Sequence, residues 1–186
     1  MKKAFPIALI FLGILFMAAG GYTVIRGFDA KDQVREELLA QNITTPDDAS
    51  IPSVRVQDAA TAESMAQIID EHALAATDGR TYSEIGRFLT PDGGDTNDEA
   101  LAAVGADGRP LSNPIRNVAF QASALRTSLY TTVMAFNVSD LVVGVGFIIV
   151  VLGVAVGGIG VALAGLAIPA LARRFQVEPV AAGPAR

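Results

Sequence analysis

The chain has 186 residues, 51% of them hydrophobic, a formal net charge of −5 and no cysteine. This is too apolar for an ordinary soluble domain unless membrane-crossing segments account for it. The missing cysteine excludes disulfides, thiolate metal sites, thioether haem attachment and a lipidated-cysteine anchor, and the acidic balance argues against nucleic acid as a partner.

Residues 1–3, with Lys2 and Lys3, are expected to form a short cytoplasmic N-terminus. The uncharged run 4–25 exceeds the roughly 20 residues that cross a bilayer core as helix. Ala18-Ala19-Gly20 offers a signal-peptidase-like site, but the run continues to Ile25 before Arg26 stops it. That is longer than a signal h-region of roughly 7–15 residues, so an uncleaved anchor is expected.

Residues 26–140 read as an extracytoplasmic, mainly helical domain. From residue 27 to residue 140, acidic side chains outnumber basic ones by 18 to 8. Residues 28–41 continue a helix with Val34, Leu38 and Leu39 on one side. Residues 42–52 break it with Thr44, Thr45, Pro46, Asp47 and Asp48, and Val54 and Val56 mark a short extended piece. Asp58 is a candidate N-cap for a helix to Ala76, with Ala62, Met65, Ile69, His72 and Ala76 at helical spacing and Gly79 as terminator. Thr81 and Glu84 have capping-box spacing and predict a short helix carrying Ile85, Phe88 and Leu89; Thr96 and Glu99 repeat the device before Leu101 and Val104. Residues 91–95 form the loop between them, and Asp78-Gly79-Arg80 and Asp107-Gly108-Arg109 are turn signals. The last outer helix begins near Pro114, with Ile115, Val118, Ala122, Leu125, Leu129, Val133 and Phe136 stepping by three or four.

A separate span over 119–136 is rejected, because Arg126 falls near its middle at an insertion cost of about 2.5–3.5 kcal/mol. The second span is 141–172, with Gly153 and Gly157 as a small-xxx-small pair. Such a pair admits a close helix, either the first span or another subunit. Arg173 and Arg174 close this run, so the tail 173–186 and both termini are expected in the cytoplasm.

The chemistry for catalysis is sparse. His72 is the single histidine, which excludes a three-histidine zinc site or a two-histidine facial triad within one chain. His72 also falls on the apolar stripe, and no Gly-x-Ser-x-Gly elbow or Walker loop occurs. Asp92, Asp95, Asn97, Asp98 and Glu99 supply oxygen ligands, but Ala100 stands where an EF-hand counted from Asp95 needs glycine. Neither apolar run contains a charged residue or histidine of the kind that lines an ion path.

The stretches Asn113-Pro114-Ile115-Arg116, Ala122-Ser123-Ala124-Leu125-Arg126-Thr127-Ser128-Leu129 and Ser139-Asp140-Leu141-Val142-Val143-Gly144 resemble a family of two-span actinobacterial membrane proteins of unknown function. The likeness extends to Gly79-Arg80-Thr81-Tyr82 and Glu84-Ile85-Gly86. The resemblance implies two spans and a cell-envelope location. Some members carry a ring-opening dioxygenase label, which a single histidine does not support, and no catalytic residue carries over.

The expectation is therefore an all-α membrane protein, two transmembrane helices extended outward into a small helical bundle. It is expected to be non-enzymatic, without cofactor or metal, and to act as an accessory or scaffolding subunit of a respiratory or cell-envelope complex. Its partners would be other integral membrane proteins or a second copy, within the lipid bilayer. The expected contacts are Gly153 and Gly157 in the membrane and Leu125, Arg126 and Leu129 outside. The alternative is an extracytoplasmic sensor or ligand-binding module with its output in a separate chain. A cavity on the Met65, Ile69 and His72 face would favour that alternative, and a solid core there would count against it.

Overall fold

The computed structural model describes residues 4–174, with side chains from 4 to 165. Lys2, Lys3 and the tail after Arg174 lie outside the described residues, as do the side chains of Arg173 and Arg174. The described chain is mostly helical: α1 is Ala4–Ala40, α2 is Ala59–Ala76 and α3 is Pro114–Arg174. Both α1 and α3 are long and apolar enough to cross a membrane. Residues 119–136 belong to the same uninterrupted helix as the apolar run that follows, so the turn a separate crossing would need is absent there.

The described residues divide into two compact units, one of residues 4–29 with 140–174 and one of residues 30–139. In the first, α1 and α3 run antiparallel in contact through glycine. Pro6, Gly13, Gly20 and Gly27 are the buried positions of this part of α1, and Gly146, Gly153 and Gly160 recur at the same seven-residue interval on α3. A β-carbon on Gly20 would stand 2.7 Å from the Gly146 carbonyl oxygen, and one on Gly160 2.8 Å from Ile10 Cγ1. Without a side chain at these positions the backbones approach closely and gain dispersion contacts along the whole seam. A seven-residue period suits helices that wind gently around each other in the left-handed sense.

In the second unit, Leu38 of α1, Ala62 and Ala66 of α2, and Leu129 and Phe136 of α3 form the core with Val56 from the 41–58 connection. The small Ala62 and Ala66, both fully buried, let α2 sit close, while Phe136, 2% exposed, fills the space beside them. The connection is held by short-range pairing: Thr45 N donates to Val54 O at 2.9 Å and Val56 N to Ile43 O at 3.0 Å. Ser64 of α2 accepts from Ile51 N at 2.9 Å, fixing that loop onto the helix. Asp58 caps α2 by accepting from Thr61 N at 2.9 Å. Gly79, at φ +76°, ends it, its N–H donating to Leu74 O at 2.7 Å.

The segment 79–113 departs from the all-helical expectation. Thr81 and Glu84 do form a capping box, but it opens one 3-10 turn, Tyr82–Glu84, after which Ile85 is extended. Strand β1, Phe88–Leu89, then pairs antiparallel with β2, Asp95–Thr96. The second box does not form: Thr96 lies in β2, and Asp98 accepts from Ala100 N at 3.0 Å to start the 3-10 turn Glu99–Leu101. The hairpin wins because Gly86 permits a backbone approach that any β-carbon would block, lying directly against the Thr96 backbone.

Candidate functional site

The unit of residues 30–139 carries an apolar groove of about 660 Å³. Buried Leu38 and Leu129 lie at its base, with Val34, Ile43, Met65 and Ile69 along its sides. Leu125, 54% exposed, stands at its edge. Gln33 and Glu37 from α1, Gln41 just past its end, and Ser128, Thr131 and Thr132 from α3 supply the polar lining. The threonine hydroxyls are already satisfied within α3: Thr131 Oγ1 donates to Thr127 O at 2.7 Å and Thr132 Oγ1 to Ser128 O at 3.1 Å. An apolar group can therefore cover them without stranding a donor. The volume falls within the roughly 300–1,000 Å³ typical of small-molecule sites.

The residues singled out from the sequence divide between this groove and other tasks. Met65, Ile69, Leu125 and Leu129 all line it. Leu129, however, is only 6% exposed and belongs to the core, so its reach is limited to the groove floor. Arg126 turns the other way and meets Asp70 of α2 at 2.5 Å, tying two helices of the same domain together. His72 is not on the packed face: its ring is 57% exposed and its Nε2 lies 2.8 Å from Asp48 Oδ2. The helical stripe placed His72 one turn beyond Ile69, but the face of α2 that stays against α3 runs through Asp70, Ala73 and Leu74, near Ala119, Ala122 and Ser123, and His72 is turned off it.

Gly153 and Gly157 together receive Gly13 of α1, whose β-carbon, if present, would stand 2.6 Å from Gly153 O and from Gly157 Cα. The space they open is filled within the chain, and another subunit would have to displace α1 to use it. What the sequence reading missed in the groove is the contribution of α1 and its end, where Gln33, Glu37 and Gln41 flank Val34 and Leu38 in a segment treated only as amphipathic.

Three of the stretches quoted above, residues 79–82, 84–86 and 113–116, meet at a second place, the start of α3. Asn113 Oδ1 caps the helix by accepting from Ile115 N at 3.0 Å, and its Nδ2 donates to Gly86 O at 3.2 Å. The Arg116 guanidinium donates to Ile85 O and to Tyr82 O and lies 4.1 Å from the Tyr82 ring centre. Arg80 pairs with Asp95 Oδ2 at 2.5 Å, while Asp95 Oδ1 accepts from Gly86 N at 3.0 Å. Each polar group has a packing duty, and the assembly reads as a clamp that fixes the 79–113 segment onto α3.

The carboxylates with displaced protonation all lie low. The Arg80 guanidinium and then the Gly86 N–H hold Asp95 below its ordinary value. Glu84 is lowered by the Thr81 N–H and hydroxyl, Asp92 by the nearby Thr90 hydroxyl, and Asp48 by its hydrogen bond to His72. All four are acceptors kept ionised, the opposite of a carboxyl tuned to donate a proton near neutrality. The acidic stretch considered for calcium is spent in this way, and among the described residues no group of three histidine, cysteine or acidic side chains is arranged to hold a metal.

Compared with family models, with curated proteins and with solved structures, the chain finds no match.

Proposed function

We propose that this chain is a non-enzymatic protein of the cell membrane, anchored by two membrane-crossing helices with both termini in the cytoplasm, whose outer domain is a ligand-binding module with its output in a separate chain. The observation that carries this reading is the groove, open where a solid core would have argued against binding, and lined by Met65 and Ile69. The membrane part draws support from two uncharged helices of sufficient length and from their closely packed glycines. The orientation draws on basic residues at both chain ends and on the acid excess between the two runs.

A second reading, an accessory or scaffolding subunit of a respiratory or envelope complex, is favoured by a different observation. Phe120, Tyr130, Met134 and Val138 on α3 are all at least 40% exposed, an apolar surface suited to another membrane protein or a second copy.

Gentle detergent extraction of the tagged chain, followed by mass spectrometry of proteins and small molecules that co-purify, separates the two. A single protein species with a bound small molecule supports the binding module; a stoichiometric complex of membrane proteins supports the accessory subunit. A reporter fused after Arg186 that is active only outside the cell overturns the two-span topology.

A further inference from the structure

We infer that the groove takes one long hydrocarbon chain whose head group carries no negative charge and donates a hydrogen bond; this rests on the binding-module reading. The apolar lining accounts for the chain. Val34, Ile43, Met65, Ile69 and Leu125 present carbon surface along a trough of about 660 Å³, and the hydroxyls of Thr131 and Thr132 are turned back into their own helix.

The head group follows from charge and from hydrogen-bonding capacity. Among the lining residues Glu37 is the one with a formal charge, and no lysine or arginine lines the groove. Glu37, acceptor only when ionised, sets the need for a donor, and the amides of Gln33 on α1 and of Gln41 just past its end can turn a carbonyl toward the same head. A phosphate, sulfate or carboxylate head would meet Glu37 without a compensating cation, inside a domain whose acidic residues outnumber the basic ones by 18 to 8. A hydroxyl or ammonium head instead finds acceptors. The excluded ligands include anionic phospholipids and ionised fatty acids, the common single-sign amphiphiles of a membrane surface.

The test uses the full chain in vesicles of zwitterionic phospholipid with three photoreactive probes of equal chain length: an alcohol, a primary amine and an alkyl sulfate, each with a diazirine in the chain. Labelled residues are mapped by mass spectrometry. The alcohol and the amine should label residues of the groove, and the sulfate should label them about tenfold less, the scale of a like-charge encounter at a partly exposed site. Leu125→Trp should remove groove labelling while leaving labels in the two apolar runs. Glu37→Lys, on an exposed helix position that tolerates it, should invert the order of sulfate and amine. Groove labelling by the sulfate equal to that by the alcohol, or unchanged order in the Glu37→Lys chain, overturns the head-group assignment while the binding module stands. Labels confined to the apolar runs with all three probes, or a cross-link from the groove to another protein, overturns both.

Discussion

Gly13 lies so close to Gly153 that a β-carbon on it would stand 2.6 Å from the Gly153 carbonyl oxygen. The contact is with backbone, which cannot rotate away, so Gly13→Ala and Gly153→Ala should each lower stability by about 1–3 kcal/mol through forced separation of the helices. Gly157, four residues along on the same face, has nothing nearer than Gly13 Cα at 3.7 Å, and Gly158 has nothing within 4 Å. Alanine at either should be neutral within about 0.5 kcal/mol. Thermal unfolding of the four variants in one detergent checks the contrast; equal effects at 153 and 157 would contradict this geometry.

The clamp at the start of α3 depends on Asn113, 3% exposed, which satisfies both the helix end and the Gly86 carbonyl. Asn113→Ala should cost about 1–3 kcal/mol, combining a lost cap with a stranded buried acceptor. Hydrogen exchange provides the local readout. The Leu89 and Leu111 amides, bonded to Leu111 O at 2.9 Å and Ala103 O at 2.8 Å, should lose protection first.

Acid should loosen the same segment. Asp95, Glu84 and Asp92 titrate lower in the fold than in the unfolded chain, so the unfolded state binds more protons as pH falls. Their stabilisation is complete above the ordinary carboxylate value, 3.8 for Asp95, and is lost as pH falls through the lowered folded values. Asp95→Asn should flatten the acid limb of a stability-against-pH curve, and Asp95→Ala should cost about 1–3 kcal/mol at neutral pH through loss of the charged hydrogen bonds to Arg80 and Gly86.

His72 is expected to be dispensable. Its partnership with Asp48 is between two exposed side chains, a class of ion pair that contributes little. His72→Gln should leave the unfolding midpoint at neutral pH within about 1 °C. It should also leave groove labelling unchanged, since His72 is absent from the groove lining. A large loss of either would assign the ring a duty that its position does not explain.

Much of the helical frame was legible because its signals are local. Asp58 before an apolar stripe, Pro114 after Asn113, and Gly79 past Ala76 are start and stop chemistry read within a few residues, and each sits where it was expected. The 79–113 segment resisted because its strands are two residues long and their pairing depends on a tight approach at Gly86, which leaves no periodic trace. For the candidate site, Met65, Ile69, Leu125 and Leu129 could be listed from helical spacing, but the spacing of one helix does not say which side of the stripe its neighbours follow, and at this end of α2 they follow Asp70, Ala73 and Leu74. That is why His72, on the same stripe, ends in solvent. The glycines hold a second pattern besides the four-residue step from Gly153 to Gly157, the seven-residue recurrence of Gly13, Gly20 and Gly27 and of Gly146, Gly153 and Gly160, which is visible in the sequence itself.

That recurrence has a mechanical corollary. Ile10, Met17 and Val24 lean on Gly160, Gly153 and Gly146 respectively, and these side chains are themselves seven apart, so both members of the pairing are built like toothed racks of equal pitch. Sliding one rack past the other by one tooth, about 10 Å along a helix, would again set a bulky side chain opposite a glycine, with one engaged tooth fewer. Shorter slides would jam side chain against side chain. The contact thus resists continuous creep, and its full engagement selects the observed register.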